Sequence, residues 1–151
     1  MNTFVRPATA SDIESVADLE LQYRRAVAAV ERGGAELLGE RPEIGVSGWR
    51  ERLTRTDWIV VVAGIDDVVL GAGACSIRPG SLVASVELLW VHPDAREVGL
   101  GETLLESLTD SARKGGAARI EATALPGDRD TKNLFERAGL VARLIIVSSP
   151  L

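Results

Sequence analysis

Cysteine and histidine are nearly absent from this chain: Cys75 and His92 are the only ones in 151 residues. A single thiol excludes a disulfide framework, and the two counts together exclude a Cys-rich or His-rich zinc site. Lysine is almost as scarce, two against fifteen arginines, a bias that points to a GC-rich bacterial genome. With 17 basic against 22 acidic side chains, the net charge of −5 lacks the footprint of a nucleic-acid binder and leans towards a cationic partner. No apolar run approaches the ~20 residues that a membrane span requires. The opening residues, Met1 to Asp12, lack the apolar core of a secretory leader, so a cytoplasmic location without membrane attachment is expected. No repeat, low-complexity tract or Pro/Ser-rich linker divides the sequence. What is present is the composition of a globule, 46% apolar and 26% charged. One domain over residues 1–151 is expected.

Read in order, Thr3–Arg6 is extended and ends at Pro7. Ser11-Asp12-Ile13-Glu14 has the spacing of a capping box, and Ile13, Val16, Ala17, Tyr23, Ala26, Val27 and Val30 fit one helical face. Gly33-Gly34 stops that helix. Between Gly33 and Gly48 no pattern stands out, and Trp49–Arg55 predicts a second short helix. Three strand signals follow. Trp58–Ala63 is a continuous apolar run, Val68–Ile77 is diluted by small residues and closed by Pro79-Gly80, and Leu82–Val91 is closed by His92-Pro93-Asp94. Their short connections predict an antiparallel meander. Leu100, Leu104, Leu105, Leu108 and Ala112 mark one face of an amphipathic helix that ends at Gly115-Gly116. Arg119–Ala124 predicts a strand, Thr131–Ala138 a helix with Gly139 at its C′ position, and Leu140–Val147 a last strand. The order β-α-α-β-β-β-α-β-α-β is an α/β sandwich whose mixed, mostly antiparallel sheet has about six strands, with about four helices.

The segment from Glu87 to Glu102 carries the chemistry. A strand runs into a loop, and Gly99-Leu100-Gly101 opens the next helix. A helix N-terminus leaves about four N–H groups unpaired at the positive end of its dipole, and glycine lets an anion come close. These features make a cradle for phosphate or pyrophosphate. The plainer alternative is a tight turn that needs glycine for its backbone alone. A P-loop is excluded because Gly101-Glu102-Thr103 has no lysine, and a dinucleotide fingerprint because position 104 is leucine.

Arg96-Glu97-Val98-Gly99-Leu100-Gly101 resembles the Arg/Gln-x-x-Gly-x-Gly/Ala pyrophosphate loop of the GNAT superfamily of acyl-CoA-dependent N-acyltransferases. Leu89-Trp90-Val91-His92-Pro93 is similar to that family's strand end, and Asn133 to Leu140 to its last helix and turn. The match runs motif by motif from Glu87 to Leu140 and is topological before Trp58. The resemblance implies a GNAT-like α/β/α sandwich, acetyl-CoA as co-substrate and no metal. It implies that the strand bearing Leu89, Trp90 and Val91 splays from its neighbour and pairs with the pantetheine arm. The pyrophosphate would be held by Arg96 and the N–H groups of Glu97, Val98, Gly99, Leu100, Gly101 and Glu102. Asn133 would contact the cofactor, and the Val91 N–H would face the thioester carbonyl as an oxyanion donor.

Strand alternation places Glu87 on the face of Leu89 and Val91, which makes it the candidate base for an incoming amine through one water. The alternative is a charge on a solvated sheet face. His92 is expected to be structural or solvent-facing, Cys75 a packed core thiol, and Trp90 to pack beneath a helix. Two positions depart from the family: Phe135 replaces a frequent tyrosine thought to protonate the leaving thiolate, and Glu97 stands where glycine is common. The expected activity is acetyl transfer from acetyl-CoA to a primary amine of a small molecule or peptide, by direct attack in a ternary complex. A non-catalytic acyl-CoA-binding or sensor module of the same fold is the alternative. A third reading is an unrelated α/β protein with a chance glycine turn. The family places acceptor contacts in Tyr23–Trp49, where no motif is evident. After Gly139 twelve residues remain, room for one strand without a return. An exposed apolar edge at Leu140–Val147 invites pairing with another chain, so a homodimer is expected, unless the Gly33–Gly48 loop covers that edge.

Overall fold

The computed structural model describes residues 1–78 and 80–151, so Pro79 of the expected Pro79-Gly80 turn lies outside the described residues. Strand β1 (Thr3–Pro7) leads through a short 3-10 turn (Ala10–Asp12) into helix α1 (Ile13–Ala28). The helix start differs from the Ser11–Glu14 box. Asp12 accepts the Thr9 N–H (2.8 Å) and two hydrogen bonds from Arg6 (2.7 and 3.1 Å), so the reciprocal cap lies within Thr9–Asp12. Asp12 is buried by this fork, and a carboxylate with that many donors outcompetes the exposed Ser11 hydroxyl for the chain entry.

The stretch without a readable pattern holds two short helices, α2 (Gly34–Glu40) and α3 (Gly45–Arg52), the second beginning ahead of the expected Trp49. Both are fixed by tertiary contacts rather than by their own periodicity. The buried Glu20 carboxylate of α1 accepts the N–H groups of Ile44 (2.8 Å) and Gly45 (3.0 Å) and the Trp49 indole N–H (3.0 Å). One carboxylate thus caps α3 from outside and ties it to α1.

The meander forms as expected: β2 (Trp58–Ile65), β3 (Val68–Ile77) and β4 (Val83–Val91). Then come a 3-10 turn (Pro93–Ala95), α4 (Leu100–Lys114), β5 (Arg119–Glu121) and α5 (Arg129–Arg137). Among the described residues the sheet has five strands in the order β1-β2-β3-β4-β5, antiparallel except for the parallel β4–β5 pair. Helices α1 and α3 cover one face around Ile13, Val16, Trp49 and Leu88. Helix α4 covers the other with Leu100, Leu104, Leu108 and Ala112. The small residues of β3 explain how close α4 lies. A Cβ at Gly73 would stand 3.0 Å from Leu108 Cδ1, and one at Gly71 would stand 3.1 Å from Leu104 Cδ1.

Two expectations about strands are corrected. The fifth strand stops at Glu121, short of Ala124. The run Leu140–Val147 forms no strand: it is irregular, and beyond Leu140, which packs against Phe135 and its neighbours, its apolar side chains are exposed, Val147 at 88%. Helix α5 ends in a Schellman turn, with Gly139 at φ 88°, Leu140 N–H bonded to the Phe135 carbonyl (2.9 Å) and Gly139 N–H to that of Glu136 (3.0 Å). Beyond this turn no strand among the described residues pairs with the segment. β-Branched composition describes a surface that packs well in a sheet, but a strand exists only with a partner.

Candidate active site

The site is a fork in the sheet. Strands β4 and β5 pair only over Val83–Ser85 and Arg119–Glu121, after which β5 ends and β4 continues with that edge open. The β3–β4 register slips between Ala74, opposite Leu88, and Cys75, opposite Val86, which leaves Glu87 as the extra residue of a β-bulge. The bulge breaks the alternation expected from the sequence. Val86 packs with Leu105 and Phe135 on the α4–α5 side, and Leu88 with Ile13 and Val16 on the α1 side. Glu87 therefore does not share a face with Leu89 and Val91. Its Oε1 accepts the Ser76 hydroxyl (2.8 Å), and its Oε2 lies 3.9 Å from Arg41 Nε.

Past the bulge the open edge is ordered by the ladder. His92 donates its N–H to the Leu70 carbonyl (2.7 Å), and Gly71 stands opposite Val91. Bonded and non-bonded pairs alternate in an antiparallel ladder, so the N–H and C=O groups of Leu89 and Val91 point away from β3, into the fork. The Val91 carbonyl accepts Arg96 Nε (3.3 Å), and the Arg96 guanidinium lies 4.5 Å from the centroid of the Trp90 ring. Trp90 packs on α1, edge-on to Tyr23, with its indole N–H given to Gln22 (3.0 Å).

Helix α4 begins beside this edge. Gly99 is its N-cap at φ 81°, a left-handed conformation suited to glycine, and a Cβ there would meet open space. Room at Gly101 is tight: a Cβ would stand 3.3 Å from Leu134 Cδ2 of α5. The first intrahelical bond runs from Thr103 N–H to the Gly99 carbonyl (3.1 Å), so the N–H groups of Leu100, Gly101 and Glu102 have no acceptor within the helix. Glu97 holds φ 76° although it is not glycine. The Arg137 guanidinium (2.7 Å), and then Glu102's own N–H, hold the Glu102 carboxyl below its ordinary range.

A cleft of about 740 Å³ joins these parts. It brings together Glu87, Leu89 to Val91, Arg96, Glu97, Gly99 to Glu102 and Asn133, while exposed Val98 is not among its lining residues. Phe135 is buried against Val86 and Leu105 and also borders the cleft, with no hydroxyl to offer. His92 accepts the Asp94 N–H at Nδ1 (3.1 Å) and caps a turn. Cys75 is fully buried, and burial, then the Glu87 charge, push its thiol up to about 11, so it stays protonated and inert at neutral pH.

The sequence reading missed Arg41, Tyr23 and Ser76. Arg41 follows α2, and its Nη1 donates to the Val86 carbonyl (3.1 Å). Tyr23 faces the same cleft, where burial raises its phenol pKa against the opposing charge of Arg41. No local signal marks either residue, because their partners lie far along the chain.

A sheet that forks at β4 and β5 beside an open helix N-terminus defines a GNAT-type fold. The model of the Acetyltransferase (GNAT) family matches residues 22–140, and the chain belongs to that family. Solved structures of similar fold include a transcriptional regulator from Bacillus halodurans C-125, 20% identical over 99% of this chain and 100% of that one, TM-score 0.73. The aminoglycoside N-acetyltransferase AAC(6')-Iy in complex with CoA is 14% identical over 99% and 95%, TM-score 0.75. A ribosomal-protein-alanine N-acetyltransferase from Brucella melitensis is 24% identical over 90% and 83%, TM-score 0.71. No curated protein sequence matches the chain.

Proposed function

We propose that the domain is an acetyl-CoA-dependent N-acetyltransferase acting on a primary amine of a small molecule or peptide by direct attack in a ternary complex. The observation that carries this reading is the fork. One cleft contains the outward-turned Val91 backbone, the Glu87 carboxylate and the open start of α4. The residues fit the co-substrate. The N–H groups of Leu100 and Gly101 are available to an anion, Arg96 brings positive charge to the same rim, and Asn133 lines it. When bound, acetyl-CoA supplies the activated thioester. The Val91 N–H stabilises the charge that develops on the carbonyl oxygen, a role worth ~2.7–4 kcal/mol where such donors have been removed. Glu87, oriented by Ser76, takes the amine proton through a bridging water. Phe135 gives no proton to the departing sulfur, which leaves as thiolate. A thiol pKa of ~8.5 makes that departure far easier than for an alkoxide.

Buried Phe135 is also the observation that favours a second reading, a non-catalytic acyl-CoA sensor of the same fold. A panel of amines and peptides with acetyl-CoA, read by thiol release, separates the two. Release that depends on the amine supports transfer. Coenzyme A binding with no release for any acceptor selects the sensor. The exposed apolar run Val141 to Val147 supports a homodimer in which this segment finds its strand partner.

A further inference from the structure

We infer that the acceptor is a zwitterionic amine, carrying a carboxylate one or two carbons from its nitrogen, with Arg41 receiving the carboxylate. The inference rests on the acetyl-transfer reading and narrows its acceptor. A guanidinium has five N–H donors. Nη1 of Arg41 bonds the Val86 carbonyl (3.1 Å), and Nη2 reaches Thr123 Oγ1 only at 3.5 Å. Its Nε stands 3.9 Å from Glu87 Oε2, beyond hydrogen-bond reach, while the other oxygen of Glu87 is held by Ser76. A cation and an anion thus stand side by side in one cleft wall, each half-buried with bonding capacity left.

Their spacing suits one kind of guest. Three covalent bonds separate the nitrogen of an α-amino acid from a carboxylate oxygen, which puts them roughly 3 Å apart. The amine of such a molecule faces Glu87 while its carboxylate faces Arg41, as a planar, partly desolvated guanidinium prefers. A polyamine would set a second positive charge beside Arg41 and be rejected. The arginine is held in position from behind. Arg24 Nη1 donates to its carbonyl, and Glu20 anchors the chain just beyond it at Ile44 and Gly45.

The test compares kcat/KM for an α-amino acid with that for the amine left when its carboxylate is removed, in the wild type, Arg41→Gln and Arg41→Lys. The wild type should prefer the amino acid. In Arg41→Gln that preference should fall roughly 10–100-fold, mainly through KM, and Arg41→Lys should restore part of it. Coenzyme A affinity, read by calorimetry, reports independently that each variant is folded. If the wild type shows no preference, or Arg41→Gln lowers both acceptors in proportion, Arg41 only positions Glu87 and the inference fails while acetyl transfer stands. Absence of thiol release with every acceptor overturns both.

Discussion

On the acetyl-transfer reading proposed above, Glu97 works against the loop that would hold the cofactor, and replacing it separates two physical effects. The first is conformational: its φ of 76° places a Cβ in left-handed backbone. That conformation costs roughly 1–2 kcal/mol in a non-glycine residue, offset in Glu97→Gly by roughly 0.5–1 kcal/mol of extra unfolded-chain entropy. The net gain is about 0.5–1 kcal/mol, or a Tm rise of about 1–4 °C in a domain of this size. The second effect is electrostatic. A carboxylate ~6 Å from a phosphate charge in water repels it by about 0.7 kcal/mol, and two such charges amount to about 1.4 kcal/mol, close to tenfold in Kd. Glu97→Gln removes the charge and keeps the backbone cost. Calorimetric titration with coenzyme A should therefore give a Kd about 3–10-fold lower for both variants at low salt, a gain that shrinks as the Debye length falls below ~10 Å. Only Glu97→Gly should raise Tm. Unchanged affinity in Glu97→Gln at low salt refutes a pyrophosphate at this loop, and equal Tm values for the two variants refute the strain argument.

Glu87→Gln should lower turnover by ~10²–10⁴ with coenzyme A affinity held. Wild-type turnover would return Glu87 to a solvated charge. Hydrogen bonds from Arg6 first, with help from Thr9, hold the Asp12 carboxyl below its ordinary value of 3.8. A depressed carboxylate stabilises the fold above its unfolded pKa and loses that contribution as pH falls through the folded one. Asp12→Asn should therefore flatten the Tm–pH profile between about pH 5 and pH 2, and an unchanged acid slope speaks against the fork. Light scattering at micromolar concentrations should return a dimer mass that Ile145→Lys shifts towards monomer; a wild type monomeric throughout rules out the pairing.

What could be read from the sequence was what its neighbours along the chain determine. The leucines of α4 recur at helical spacing, and all of Leu100, Leu104, Leu105 and Leu108 are buried as that spacing implies. The glycines at 99 and 101 announce a strand-to-helix turn because their demands on backbone are local. Glu87 is the instructive failure. Its identity as the charged residue of an apolar strand was visible, but its direction was not, since a bulge is defined by the register of the opposite strand. Arg41 was illegible for a related reason: its contact with Val86 spans 45 residues, and the short α3 that follows it is held by Glu20 of α1 rather than by periodicity. Composition misled at Leu140–Val147, where β-branched residues report an affinity for a sheet and not the presence of one.

The bare glycines of β3 set the clearance between two parts that must cooperate. Because Gly71 and Gly73 lack side chains, Leu104 and Leu108 of α4 pack close over the strand, where a Cβ would crowd both. The same helix opens its first turn towards the cleft, where the proposed anion cradle lies, and the sheet carries the Val91 backbone at the end of β4. A methyl group at Gly73, on a strand that touches neither ligand, would act as a shim under the helix. It would press on Leu108 Cδ1, which must give by a few tenths of an ångström; any part of that shift passed to α4 changes the reach between its first turn and Val91. The distance between the first turn of α4 and the end of β4 is therefore gauged from beneath, by atoms the protein leaves out.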